Sequence, residues 1–225
     1  MLTVPKECGV MILEDLILFP QMMLPMYIFE PRYKDMLKES LEGSRMFCVA
    51  RQRTDKKEEC PELVAGIGVI RAAIDHDNGT SHLVLQGISR VILKGRGQFR
   101  TFPNYQIKIF NTRRENEERL HALGDRAKSL AINFLKGNVD PDHDEIPVIT
   151  SCSQKSSLTQ SQDAGKQKLL EYLSCIDDPE QIGDLISSSI IRCPTKKQQL
   201  LSISSLEERL DFLSRSLIEE YNLDE

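Results

Sequence analysis

The sequence predicts an α+β chain, with a β-rich first half closing into a small barrel and a helical second half. Two observations carry that reading. Up to about residue 110, short apolar runs are separated by proline, glycine and asparagine-glycine turns, the pattern of short strands in a closed sheet. Past Arg113 the apolar period lengthens from two to about 3.6 residues, and helix-start signals recur at Asp178, Thr195 and Ser204. The expected division is a β-rich lobe over 1–112 and a helical lobe over 113–225, with a loop or insert at 138–165.

Leu16–Phe19 is an apolar run of strand length closed by Pro20, which cannot donate to a sheet ladder. Gln21–Pro25 reads as a Met-rich turn, and Met26–Phe29 as a second strand-like run. Glu30-Pro31 opens a helix, since proline's fixed φ suits the first helical position. Tyr33, Met36, Leu37 and Leu41 follow at helical spacing, and Gly43 stops it. Met46–Ala50 is a strand, and Arg51–Glu62 a charged loop. Leu63–Ile74, with Gly66 and Gly68 among its apolar residues, suits a long bent strand with close backbone approach. Asp77-Asn78-Gly79 is a hairpin turn, with strands continuing at Ser81–Gln86 and Ser89–Lys94 around Gly87. Tyr105–Phe110 alternates as a half-buried strand.

In the second half, Leu120, Leu123, Ala127, Leu130, Ala131 and Phe134 make one apolar helix face closed by Gly137. Asn138–Gly165 is polar, with few residues worth burying, and reads as a long loop or insert. A helix is expected over about Lys166–Ile176. Three more start at Asp178-Pro179-Glu180-Gln181, at Thr195-Lys196-Lys197-Gln198 and at Ser204-Ser205-Leu206-Glu207, each a capping-box pattern.

Bulk properties narrow the function. The net charge is −5, with 15 basic against 13 acidic residues over 1–112 and 14 against 21 over 113–225. That balance disfavours a general polyanion binder, which needs a positive field. Six cysteines without a Cys-x-x-Cys pair point to reduced thiols, not to a disulfide framework or a zinc ribbon. The N-terminus lacks the apolar core of a signal peptide, and no run reaches the ~18 apolar residues of a membrane span. The expected location is cytoplasmic.

The order of motifs is also familiar. Leu18-Phe19-Pro20, Leu24-Pro25 and Ile28-Phe29-Glu30-Pro31-Arg32-Tyr33 resemble the opening of the Lon N-terminal, substrate-binding domain. Gln21 stands where that family usually has Gly, and Met26 where it usually has Leu. The resemblance continues through Asn78-Gly79, Leu85-Gln86-Gly87, Arg90 and Ile92. It extends to Asp178, Pro179, Ile182, Asp184 and Ile186, then to Lys197, Gln198, Leu200 and Leu201, and then to Glu207-Glu208-Arg209-Leu210 and Leu213. It spans roughly residues 8–221 and implies a PUA-like barrel followed by a helical lobe. In Lon-type proteases this domain precedes an ATPase and a Ser-Lys protease domain. No Gly-x-x-x-x-Gly-Lys-Ser/Thr motif occurs in this sequence, and the expectation is a free-standing, noncatalytic recognition domain.

Candidate sites are few. Asp140, Asp142 and Asp144 have calcium-loop spacing, but Glu145 and Ser151 stand where Gly and a bidentate Glu are needed, so a solvated acidic loop is the better reading. Asp75, His76, Asp77 and His82 flank a hairpin and have the chemistry to hold a metal, but turn chemistry already accounts for the acids, so no metal is expected there. No nucleophile elbow accompanies the histidines and serines. Lys94–Arg100 is basic with one aromatic and reads as a connection between strands. No catalytic, cofactor or metal residue is assigned. The strongest binding candidates are Met22, Met23 and Met26 with adjacent Tyr27: thioether chains repack cheaply around varied partners, although core filling explains them too. The expected function is binding of unfolded or partner polypeptides. The alternatives are an RNA-binding PUA-like protein and a regulator docking on a full-length Lon protease, with nucleic acid the less favoured partner and no membrane partner expected.

Overall fold

The computed structural model describes residues 3–56, 58–137 and 158–221. They divide into two compact units, the first taking the chain up to Asn111 together with Lys197–Ser202, and the second the rest. The fold is α+β, as expected.

The first unit is built on six strands: β1 Glu7–Leu13, β2 Met23–Ile28, β3 Met46–Arg51, β4 Val64–Asp75, β5 Ser81–Arg96 and β6 Asn104–Ile109. Their order is β2-β5-β4-β3-β1-β6, and β6 also pairs with β5. Five strands therefore close into a ring, and β2 is attached outside it. The length of β5 makes this possible. Its first half pairs with β2 through Ser81–Gln86, its second half pairs with β6 through Val91–Arg96, and β4 runs along its other edge. The β1–β3 pairing is parallel and the others are antiparallel. Val10, Phe47, Val49, Ala65, Ile67, Leu85 and Val91 are all buried in the hydrophobic core of this unit.

The Ile28–Tyr33 signature has a local reason for each residue. Ile28 is buried, the Glu30 carbonyl accepts from the amides of Tyr33 and Lys34, and Pro31 opens helix α1, Pro31–Glu42. Arg32 is held by Glu30 at 2.9 Å and by Glu59 at 2.7 Å. The buried Tyr33 hydroxyl donates to the Ile12 carbonyl at 3.3 Å and accepts from the Ile12 amide at 3.2 Å. Burial is the main cause of its raised pKa.

Leu16–Phe19 corrects the sequence reading. It is buried but is not a strand. Its carbonyls press against two glycines, so that a Cβ on Gly66 would lie 2.0 Å from the Leu18 oxygen and one on Gly87 2.0 Å from the Phe19 oxygen. The segment lies over the ring without joining its ladder, and burial alone gives it an apolar pattern that sequence cannot tell from pairing. The turn is also tighter than expected. It occupies Pro20-Gln21, with Gln21 in the left-handed region at φ 65°, and Met23–Pro25 is already strand. Strand β1 was not anticipated, since Gly9–Leu13 is a near-continuous apolar run without alternation, typical of a parallel strand. The two runs around Gly87 form one strand.

The second unit contains α2 Glu117–Leu135, α3 Leu158–Cys175, α4 Pro179–Ser189 and α6 Leu206–Tyr221. Helix α5, Pro194–Ser202, begins there and passes into the first unit at Lys197. Asn116 caps α2, and Asp178 caps α4 by accepting from the amides of Glu180 and Gln181. Helix α3 starts at Leu158, earlier than the expected Lys166, because a run of Gln, Ser and Thr without an apolar face can still propagate a helix. The remainder of the expected loop, 138–157, lies outside the described residues, as do Asp140, Asp142 and Asp144. Leu120, Leu206 and Leu210 pack together, and the Phe134 and Tyr221 rings lie 4.0 Å apart. The Tyr221 hydroxyl donates to the Ile190 carbonyl at 2.6 Å, and burial and the Glu220 charge push its pKa up to about 12. Arg209 of the Glu-Glu-Arg-Leu run is fully buried between Glu180 at 3.0 Å and Asp184 at 3.3 Å, and the Thr112 hydroxyl donates to Glu180.

Candidate functional site

Strand β2 pairs with β5 alone, which is why Pro25 is tolerated at its centre: an edge strand can spare a donor. Alternation sorts its side chains. Leu24 and Ile28 are buried and Met26 packs on the core, while Met23, Pro25 and Tyr27 face outward. The antiparallel register sets Met23 opposite Gln86, Pro25 opposite Val84 and Tyr27 opposite His82. On the next strand, Ala72 lies opposite Val84 and Ile74 opposite His82. The outcome is an outward three-strand face carrying Met23, Pro25, Tyr27, Val84, Ala72 and Ile74.

The exposure of this face is large for such residues. Met23 is 52% exposed, Tyr27 43%, Ile74 64% and Phe29, just past β2, 59%. Tyr27 links the aromatic part of the patch, its ring 6.0 Å from Phe29 and 4.8 Å from His82. The polar content is modest: Arg71 donates to the Gln86 side-chain oxygen at 2.6 Å, which leaves the guanidinium partly engaged. An exposed apolar patch on a rigid sheet suits binding of apolar side chains from a partner.

The four residues singled out in sequence are therefore divided. Met23 and Tyr27 stand on the outward face, whereas Met22 and Met26 are half-buried against the barrel core. Phe29 and Ile74 join the face without having been singled out, and His82, weighed earlier only as a hairpin residue, joins it as well. The Asn78-Gly79 turn fixed the hairpin register that brings Ile74 and His82 together, so that part was legible in principle. The pairing of β2 with β5 joins segments far apart in sequence and left no such local signal.

The other candidates are placed differently. His76 and His82 converge across the hairpin, while Asp75 accepts from the Ser81 hydroxyl at 2.6 Å. Lys94–Arg96 belongs to β5. Beyond it Arg100 binds Glu39 at 3.1 Å, and Phe99 is almost wholly exposed. No described helix is long and apolar enough to cross a membrane.

Comparison with known proteins agrees with this architecture. The family model for the ATP-dependent protease La (LON) substrate-binding domain matches residues 7–219. The Lon protease of Desulfosudis oleivorans is 25% identical over 218 residues, covering 95% of this chain but 24% of that protein. The chain thus spans about a quarter of the length of the curated relatives it matches. Among solved structures, the N-terminal domain of Mycobacterium avium complex Lon protease superposes with a TM-score of 0.69 at 17% identity, covering 94% of this chain and 98% of that one. A Lon N-terminal domain protein from Xanthomonas campestris gives 0.60 at 14% identity, covering 92% of this chain and 96% of that one.

Proposed function

The chain belongs to the Lon substrate-binding domain family, and from that premise we propose that it is a noncatalytic polypeptide-binding module. Its ligands are unfolded proteins or partner segments with exposed apolar side chains. The observation that supports this most is the outward face of β2, β5 and β4, where Met23, Tyr27, Phe29 and Ile74 stand largely in solvent. Such residues cost free energy when left in water, at roughly 25 cal/mol per Å² of apolar surface, and a partner that covers them recovers it. Met23 adapts its shape to different side chains, and Tyr27 supplies a flat amphipathic surface. Binding on this face needs no chemistry from the protein. Selectivity then lies in how slowly a segment leaves.

The test is titration with a reduced, unfolded model protein beside its folded form. Tighter binding of the unfolded form, weakened by about tenfold in Met23→Ser/Tyr27→Ser, is the expected result, since burying two such side chains accounts for over ~1.4 kcal/mol. Equal, negligible binding of both forms would remove the proposal.

A further inference from the structure

We propose that His76 and His82 form a chelating site for a divalent transition-metal ion of the imidazole-preferring kind, Cu²⁺ or Ni²⁺ before Zn²⁺. The observation is geometric. His76 follows β4 at the mouth of the hairpin turn and His82 lies on β5, and the turn brings their rings together. His76 Nε2 and His82 Nδ1 are 2.6 Å apart, with the ring planes at 87°. Two ring nitrogens that close must share one proton, with one nitrogen donating and the other accepting. With the proton of each neutral ring on its outer nitrogen, the two facing nitrogens each offer a lone pair, and the rings turn about their side-chain torsions to meet one ion.

A metal replaces the shared proton with small movements. At metal–nitrogen distances of about 2.0–2.1 Å, two cis ligands in a square plane sit roughly 2.9 Å apart, and two tetrahedral ligands roughly 3.3 Å apart. The observed gap is nearer the first, which favours ions of square-planar or tetragonal habit. Both histidines are exposed, so the rings can open by a few tenths of an ångström without disturbing the core. The backbone around them is well held: the His76 amide donates to the Thr80 carbonyl and the Gly79 amide to the His76 carbonyl, both at 2.8 Å. Asn78 accepts from the Thr80 amide at 3.0 Å. The Tyr27 ring braces His82 from β2. Among the described residues no group of three or more metal-ligating side chains converges. The site therefore has two ligands among the described residues, and water supplies the rest.

The site adjoins the outward face through His82 and Tyr27, so its readout is metal binding alone. The full chain is titrated calorimetrically with NiCl2 near pH 7.5, where nickel avoids the thiol oxidation that copper would bring. One equivalent is expected to bind, with His76→Ala and His82→Ala each weakening it by roughly 10²-fold, because the second donor acts at high effective concentration. Histidine ring proton signals of these two residues alone are expected to broaden at the first equivalent. Lowering the pH is expected to expel the metal, as protons compete for the same lone pairs. Unchanged nickel binding in His76→Ala/His82→Ala, or wild-type binding no tighter than in the single variants, would overturn the assignment. Both residues lie on the surface, so circular dichroism of the variants is expected to match wild type.

Discussion

Gly66 and Gly87 show how single residues set the first unit. Each faces a carbonyl of the Leu18-Phe19 segment where a Cβ would be 2.0 Å from oxygen. Ala at either position must push a buried backbone segment away, and a loss of about 3 kcal/mol in urea unfolding is expected for each. Gln21 makes the opposite case. At φ 65° it occupies a conformation that costs an L-residue roughly 1 kcal/mol, so Gln21→Gly is expected to raise stability by about that amount. The sequence had marked this position as a departure from the family's usual Gly, and the backbone now gives the reason. The Met residues were less legible. Alternation on a strand decides which of Met22, Met23 and Met26 face out, and the turn had been read too long to place β2 correctly.

The Asp178 cap was legible, because its determinants lie within four residues of one another. By contrast, α5 opens at Pro194, ahead of the expected Thr195 cap, and at α6 the Glu208 amide donates to Ser205 and not to Ser204. Asp178 behaves as its sequence context implies, accepting from two amides at the start of α4 and binding Arg114 at 2.9 Å. Burial opposes its ionisation, but the Gln181 amide and the Arg114 guanidinium outweigh this and hold the carboxyl below the ordinary carboxylate range. A depressed pKa means the folded state binds the proton less well than the unfolded one. The stabilisation is therefore present above the unfolded value of about 3.9 and is lost as pH falls through the folded value. Asp178→Asn keeps the cap but loses the charge facing Arg114 and the α4 N-terminus. It is expected to lie below wild type in stability at pH 7 by about 0.5–1 kcal/mol, with the gap closing below pH 4 in paired urea titrations. The buried Arg209 is the more severe case. Arg209→Ala removes the guanidinium facing Glu180 and Asp184, and a loss of about 3–5 kcal/mol is expected by thermal or urea unfolding. Sequence gave no hint that an arginine in a Glu-Glu-Arg-Leu helix start is buried, since surface helices carry the same composition.

For the molecule as a whole, the fold class and the closed β lobe were readable because periodicity and turn signals are local, whereas the pairings that close the ring were not, because β1–β3 and β1–β6 join distant segments. The same holds for α5. Its residues Lys197–Ser202 belong with the β unit, where Gln198 donates to the Val64 carbonyl at 3.0 Å and Arg90 to the Leu201 carbonyl at 2.9 Å. Leu200 and Leu201 are buried there. A fragment ending at Asn111 is accordingly expected to lose the sharp, cooperative urea transition of the full chain, followed by near-ultraviolet circular dichroism. This borrowed turn of helix also has a consequence for biosynthesis. A nascent chain that has only its strands outside the ribosome lacks the buried Leu200 and Leu201 and the Gln198 donor to the Val64 carbonyl. Completion of the N-terminal unit is thus expected to await the translation of Lys197–Ser202.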